Sequence, residues 1–126
     1  MDELEQAHLA ADLGRLVRRC RTACGLAQND LADAAGVARR TVQRLEHGQH
    51  RPRMSLLASL AAVLAPEQPD ALLAALVAAA GDSLRPDTLA SLRRRARLVR
   101  RATARHRRRA LGARRLHRPE PPNGSP

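Results

Sequence analysis

The sequence predicts an all-α chain: a bundle of five short helices followed by a long helix coated with arginine. Apolar residues recur three and four apart in each segment, the spacing that gives a helix one inward face. Glycine or proline punctuates the segments, at Gly25, Gly36, Gly48, Pro52, Pro66, Pro69, Gly81 and Pro86. The 126 residues include no Phe, Tyr or Trp, and the apolar content leans on Ala and Leu, so the core must be small and the fold marginally stable. That length suits one domain with appendages. The expected division is a flexible lead-in at 1–8, a domain at 9–81, a linker at 82–87, an amphipathic arginine-rich helix at 88–112 and a disordered tail at 113–126.

Taken in order, Leu9, Leu13, Leu16, Val17 and Cys20 trace the inner face of a first helix that ends near Cys24 and Gly25, a natural C-cap. Leu31, Ala34 and Ala35 do the same for a second helix from Gln28, and Val42 and Leu45 for a third. Gly36 separates these two. A sharp reversal between crossing helices needs a residue that tolerates positive φ and a small one at the crossing, and Gly36 and Ala32 meet those demands. With Val37, Val42 and Leu45 inward, Arg39, Arg40, Gln43 and Arg44 are left on one exposed surface of the third helix. These are the side chains that base edges accept. After the loop QHRPR, a fourth helix from Arg53 or Met54 to Leu64 turns Leu56, Leu57, Leu60, Ala61 and Leu64 inward. A fifth runs from Pro69 to Ala80, capped by Gly81. Its Leu72, Leu73, Leu76 and Val77 make it apolar enough to close the core and also to offer a face to a second copy or another protein. In the last segment Leu89, Leu92, Ala96, Val99, Thr103, His106 and Ala110 follow a 3–4 alternation. The positions after Val99 are too small or polar for a coiled coil, so that helix should dock at its start and project beyond.

Residues 25–28 (GLAQ), 30–37 (DLADAAGV) and 41–48 (TVQRLEHG), followed by Pro52 and the LLASLAAVL run at 56–64, resemble the phage-repressor or Cro-like helix-turn-helix family, also called the XRE family. The resemblance spans roughly residues 9 to 64. It implies a five-helix, lambda-repressor-like DNA-binding bundle whose third helix enters the major groove. Base reading then falls to Arg39, Arg40, Gln43 and Arg44. Phosphate contacts fall to Gln28 at the start of the second helix, to Thr41, and to His47, Gln49, Arg51 and Arg53 past the end of the third. Arg21 matches the arginine that pairs with the glutamate closing the recognition helix, here Glu46. Two positions depart from the family pattern: Ala27 and Ala38 stand where a Ser or Thr helix cap is usual, a loss of about 1 kcal/mol each.

Charge agrees with a polyanionic partner. The formal net charge is +11, and residues 88–126 carry 13 Arg against one acid, whereas residues 1–87 carry 10 Arg against 11 acids. Residues 15–53 are nevertheless locally basic, with nine Arg against Asp30, Asp33 and Glu46. Every basic residue other than His is Arg. Cys20 continues the inner stripe of the first helix and reads as core; with Cys24 alone four residues on, no zinc set forms and no metal or cofactor is expected. The five His are scattered and no Ser-His-acid set, paired carboxylates or phosphate-binding glycine loop is evident, which argues against an enzyme. There is no apolar run long enough for a membrane span and no signal-peptide pattern at MDELEQ, so the expected location is the cytoplasm. The functional expectation is a transcriptional regulator of bacterial or phage type, a repressor by default, binding double-stranded DNA as a homodimer. Its rivals are an antitoxin-like or adaptor protein holding a partner through residues 69–80, and an RNA-binding or nucleoid-associated protein dominated by the arginine-rich segment.

Overall fold

The computed structural model describes residues 3–116. These form six α-helices: α1 (Glu3–Ala23), α2 (Gln28–Ala35), α3 (Arg39–Glu46), α4 (Met54–Leu64), α5 (Pro69–Ala80) and α6 (Leu89–Leu116), with one 3-10 turn at Gly81–Ser83 between α5 and α6. α1 lies across α3 and α5, α4 packs on α5 and α2, and α6 docks on α2 and α4. The core they enclose is aliphatic. Leu13 and Val17 of α1, Leu31 of α2, Leu45 of α3, Leu57 and Leu60 of α4 and Leu76 of α5 are all sealed from solvent. Each such side chain contributes about 1.5–3 kcal/mol by leaving water.

Two glycines fix how closely the helices meet. At Gly14 of α1 a Cβ would lie 2.6 Å from the carbonyl oxygens of both Leu45 and Glu46, so the crossing of α1 over the end of α3 is possible only without a side chain there. Gly36, with φ 67° and ψ 41°, closes α2 in the left-handed conformation that side chains disfavour. A Cβ on Gly36 would also lie 2.8 Å from Cα of Val99, which brings α6 onto the turn between α2 and α3.

Several expectations need correction. Residues 3–8 belong to α1 rather than to a flexible lead-in. In α2 the small residues that face the core are Ala32 and Ala35, while Ala34 is exposed. On α5 only Leu76 is fully buried among the large side chains, but Leu72, Leu73 and Val77 also pack against the core. What α5 shows to solvent is Asp70 and the alanines at 71, 74, 75 and 78, while Leu72, Leu73 and Val77 are half-buried against the core. Residues 82–87 are not a linker. Ser83 is buried, Leu84 packs on the core, the Arg85 amide donates to the Pro52 carbonyl at 2.8 Å, and the Asp87 carboxylate accepts from the Ser55 amide at 2.9 Å and from the hydroxyls of Ser55 and Ser91.

The docked face of α6 also differs from the expected stripe. Leu89 and Leu92 are 64% and 48% exposed, and the inward positions are Ser91, Arg95 and Leu98. Polar anchoring explains the rotation. Thr88 and Ser91 cap the helix reciprocally, the Thr88 amide donating to Ser91 Oγ at 2.8 Å and the Ser91 amide to Thr88 Oγ1 at 3.0 Å. One turn on, Arg95 donates to the Ala35 carbonyl at 2.9 Å, the Gly36 carbonyl at 3.2 Å and the Ser59 hydroxyl. These carbonyls are the unsatisfied C-terminal groups of α2, and a guanidinium there is favoured by the helix dipole. α6 continues helical to Leu116, past the expected boundary at Gly112. The side chains of Thr103, His106 and Ala110, and the part of the expected tail at 117–126, lie outside the described residues.

Candidate nucleic-acid interface

The surface of interest is built on α3. Val42 and Leu45 anchor it, each about 1% exposed, and this leaves Arg39, Arg40 and Arg44 in solvent with Gln43 half-buried between them. At about 100° per residue these four positions occupy one contiguous arc, away from the buried side. The start of α3 is locally unfavourable. Ala38 provides no side-chain cap, the first turn holds no acid, and Arg39 and Arg40 set positive charge at the positive end of the helix dipole. Such departures from local preference concentrate at functional surfaces. At α2 the missing cap is partly replaced, because Asp30 accepts from the Ala27 amide at 3.0 Å.

The far end of α3 is held by the predicted bridge. Arg21 Nε donates to Glu46 Oε2 at 2.7 Å and Arg21 Nη2 to Glu46 Oε1 at 2.9 Å, a two-point pair with side chains only 12% and 3% exposed. Arg21 Nη1 also donates to the Leu26 carbonyl at 2.9 Å, and Gln28 Nε2 approaches Glu46 Oε1 at 3.4 Å. Hydrogen bonding to Glu46 raises the Arg21 pKa; burial opposes that shift, and the Glu46 charge reinforces it. The Arg21–Glu46 pair thus ties the end of α1, the loop after it, the first residue of α2 and the last of α3. The expected phosphate ligand Gln28 is therefore half-buried and oriented by the same carboxylate.

The other expected phosphate ligands divide into two groups. His47, Gln49 and Arg51 are exposed beyond α3, with His47 Nδ1 2.7 Å from the Gln43 carbonyl. Thr41 and Arg53 instead line a cleft between α3 and α6, and Arg53 Nη1 donates to the Pro86 carbonyl at 2.7 Å. Sequence reasoning missed His50, Arg85 and Arg95, which the fold brings to the same cleft. Burial, then the charges of Arg85 and Arg44, holds the His50 imidazole below its ordinary pKa. The spacing of Thr88 and Ser91 before an apolar run was a readable signal that α6 begins as an anchored helix; nothing local marks Arg85 or Arg95. Cys20 sits against the core as expected, its thiol pKa raised by burial first and the neighbouring Cys24 second.

A turn at Gly36 between two short helices, the second bearing an outward Arg/Gln face and fastened at its end to α1, defines a helix-turn-helix DNA-binding domain. Residues 12–80 match the family described as Helix-turn-helix domain, more than half of the chain, and the protein belongs to that family. The match spans α2, α3, α4 and α5 and most of α1, and stops before α6. No curated protein and no solved structure matches the chain. Among the described residues no helix is long and apolar enough to cross a membrane.

Proposed function

We propose that the protein is a sequence-specific transcriptional repressor that binds a two-fold operator as a dimer, with α3 of each copy in the major groove. The observation that carries this reading is the exposed arc of Arg39, Arg40, Gln43 and Arg44 on a helix immobilised from behind by Val42, Leu45 and the Glu46 bridge. Arginine pairs bidentately with guanine and glutamine with adenine, so a G-rich half-site follows. Gln28, Thr41, His47, Gln49, Arg51 and Arg53 would fix register through phosphates, which position the protein without specifying sequence. The exposed arginines of α6, among them Arg93, Arg97, Arg100 and Arg101, would add a sequence-independent grip on the backbone. Selection of tight binders from a random duplex pool, followed by competition against excess random DNA, tests the proposal. A regulator of this kind recovers a G-containing inverted repeat and holds it against the competitor. Equal affinity for all sequences would instead favour the rival reading, a nucleic-acid packer dominated by α6.

A further inference from the structure

The cleft between α3 and α6 gathers more positive charge than the nearby carboxylate of Asp87 can balance. It encloses about 130 Å³, well above the roughly 10–15 Å³ that admits one water, and His50, Arg53, Arg85, Arg94, Arg95 and Thr41 all line it. Two of its arginines are forced together by the main chain, since Arg53 and Arg85 form an isolated parallel bridge pair. Neither they nor Arg94 form an ion pair among the described residues. Asp87, whose charge acts on Arg53 and Arg95, has its carboxylate hydrogen-bonded instead to the Ser55 amide and to the hydroxyls of Ser55 and Ser91. Arg95 is committed to the Ala35 and Gly36 carbonyls and to Ser59. Arg85 is not: its Nε is buried with no hydrogen-bond partner, which leaves a donor of a charged group unsatisfied. A buried orphan donor beside unpaired guanidiniums calls for an anion with several acceptor oxygens.

We propose that this cleft is a phosphate-binding site, with Arg85 and Arg94 as its principal ligands and Arg53 and Thr41 beside them. The phosphate is either one of the DNA backbone, seated between the recognition helix and α6, or that of a small phosphorylated effector. Only the first case rests on the DNA-binding reading. In both, occupancy bridges α3 to α6 and so couples the recognition helix to the arginine-rich segment.

The experiment uses the full chain with ring-labelled histidine and follows the His50 resonance by NMR while inorganic phosphate is added, against sodium chloride at matched ionic strength. Phosphate should give a saturable shift that chloride does not. The apparent affinity should fall about tenfold or more in Arg85→Gln and in Arg94→Gln, the loss expected when one charge-assisted contact is removed, and stay unchanged in Arg18→Gln, an exposed arginine of α1 that lies outside the cleft. Arg94 is exposed, so its variant keeps the test valid should Arg85→Gln fail to fold. The same variants are then titrated with a short random-sequence duplex at several salt concentrations. If the phosphate is DNA's, Arg94→Gln lowers the slope of log affinity against log salt by about 0.9. If it belongs to a free effector, the slope is unchanged while the phosphate response is lost. A phosphate response no larger than that to chloride, together with unchanged slopes, overturns the proposal. So does a phosphate response that survives both substitutions. Failure of the protein to bind any duplex leaves the phosphate titration as a complete test by itself.

Discussion

Glu46→Ala should be among the most damaging single substitutions on the polar side of the fold. It removes both hydrogen bonds from Arg21, at 2.7 and 2.9 Å, and the weaker approach of Gln28 at 3.4 Å. Bonds to charged groups contribute about 1.5–3 kcal/mol each, and breaking a fully buried pair costs about 3–5 kcal/mol because the other charge is stranded. Arg21 keeps its bond to the Leu26 carbonyl and its side chain is 12% exposed, so water can reach it in part. The expected loss is therefore about 2–4 kcal/mol, from a total that for small domains is only about 5–15 kcal/mol. At about 4–8 °C per kcal/mol for a domain of this size, the melting midpoint should fall by roughly 10 °C or more. The chain has no aromatic residue, so circular dichroism rather than fluorescence follows the transition. The exposed Glu67→Ala, in the loop after α4, is the reference and should stay within about 0.5 kcal/mol of the parent. A second arm replaces both partners with apolar residues, Arg21→Met with Glu46→Leu, and should recover part of the loss because neither charge is then stranded. Equal midpoints for Glu46→Ala and Glu67→Ala would refute the bridge as a structural tie.

Three further outcomes follow from the packing. Gly14→Ala gains about 1 kcal/mol of helix propensity, but its Cβ would sit 2.6 Å from two carbonyl oxygens; the clash, typically about 1–3 kcal/mol, should win and lower the denaturation midpoint. Burial alone would raise the Asp87 pKa, but hydrogen bonds from Ser55 and Ser91 and the charge of Arg53 hold it below the ordinary value of 3.8. Its stabilisation is thus present above that value and lost as pH falls through the lower folded pKa. Asp87→Asn should cost roughly 1–3 kcal/mol at neutral pH. In acid titrations that gap to the parent should narrow below about pH 3.8, and a gap independent of pH would contradict the assignment. Ending the chain after Arg101 removes seven arginines while keeping Arg95 and Val99 on the Gly36 turn; the salt dependence of DNA binding should flatten by about 0.9 per phosphate released while preference among sequences survives.

Much of this was legible because helical spacing and turn chemistry are local. The inward residues of α4, its start after Arg53, the ends of α5 at Pro69 and Gly81, and the reversal at Gly36 each follow from a few neighbouring residues. The Arg21–Glu46 tie is not local; the family resemblance supplied it, and the structure shows it bidentate. What escaped the sequence depends on distant elements meeting. Gly14 resembles any helix glycine until α3 is laid across it, and Arg95 resembles its neighbours Arg93, Arg94 and Arg97 until the exposed carbonyls of α2 select it. The stripe that apolar periodicity predicts on α6 is not the docked face, because the helix is oriented by Ser91, Arg95 and their polar partners. On α5 apolar periodicity did mark the packed side. Its leucines are numerous because a core without aromatic rings must be filled by many smaller side chains, and Leu72, Leu73 and Val77 are drawn onto that core.

Whether α3 reads bases is tested most directly by measuring the affinities of the parent, Arg40→Ala, Arg44→Ala and Gln28→Ala on the selected site and on single-base variants of it. Arg40→Ala and Arg44→Ala should each lose about 1–3 kcal/mol on the selected site and become indifferent to the base at one position, as the loss of a guanine contact requires. Gln28→Ala should weaken every duplex alike. Uniform loss in all three variants, with base preference intact in each, would contradict α3 as the reading helix.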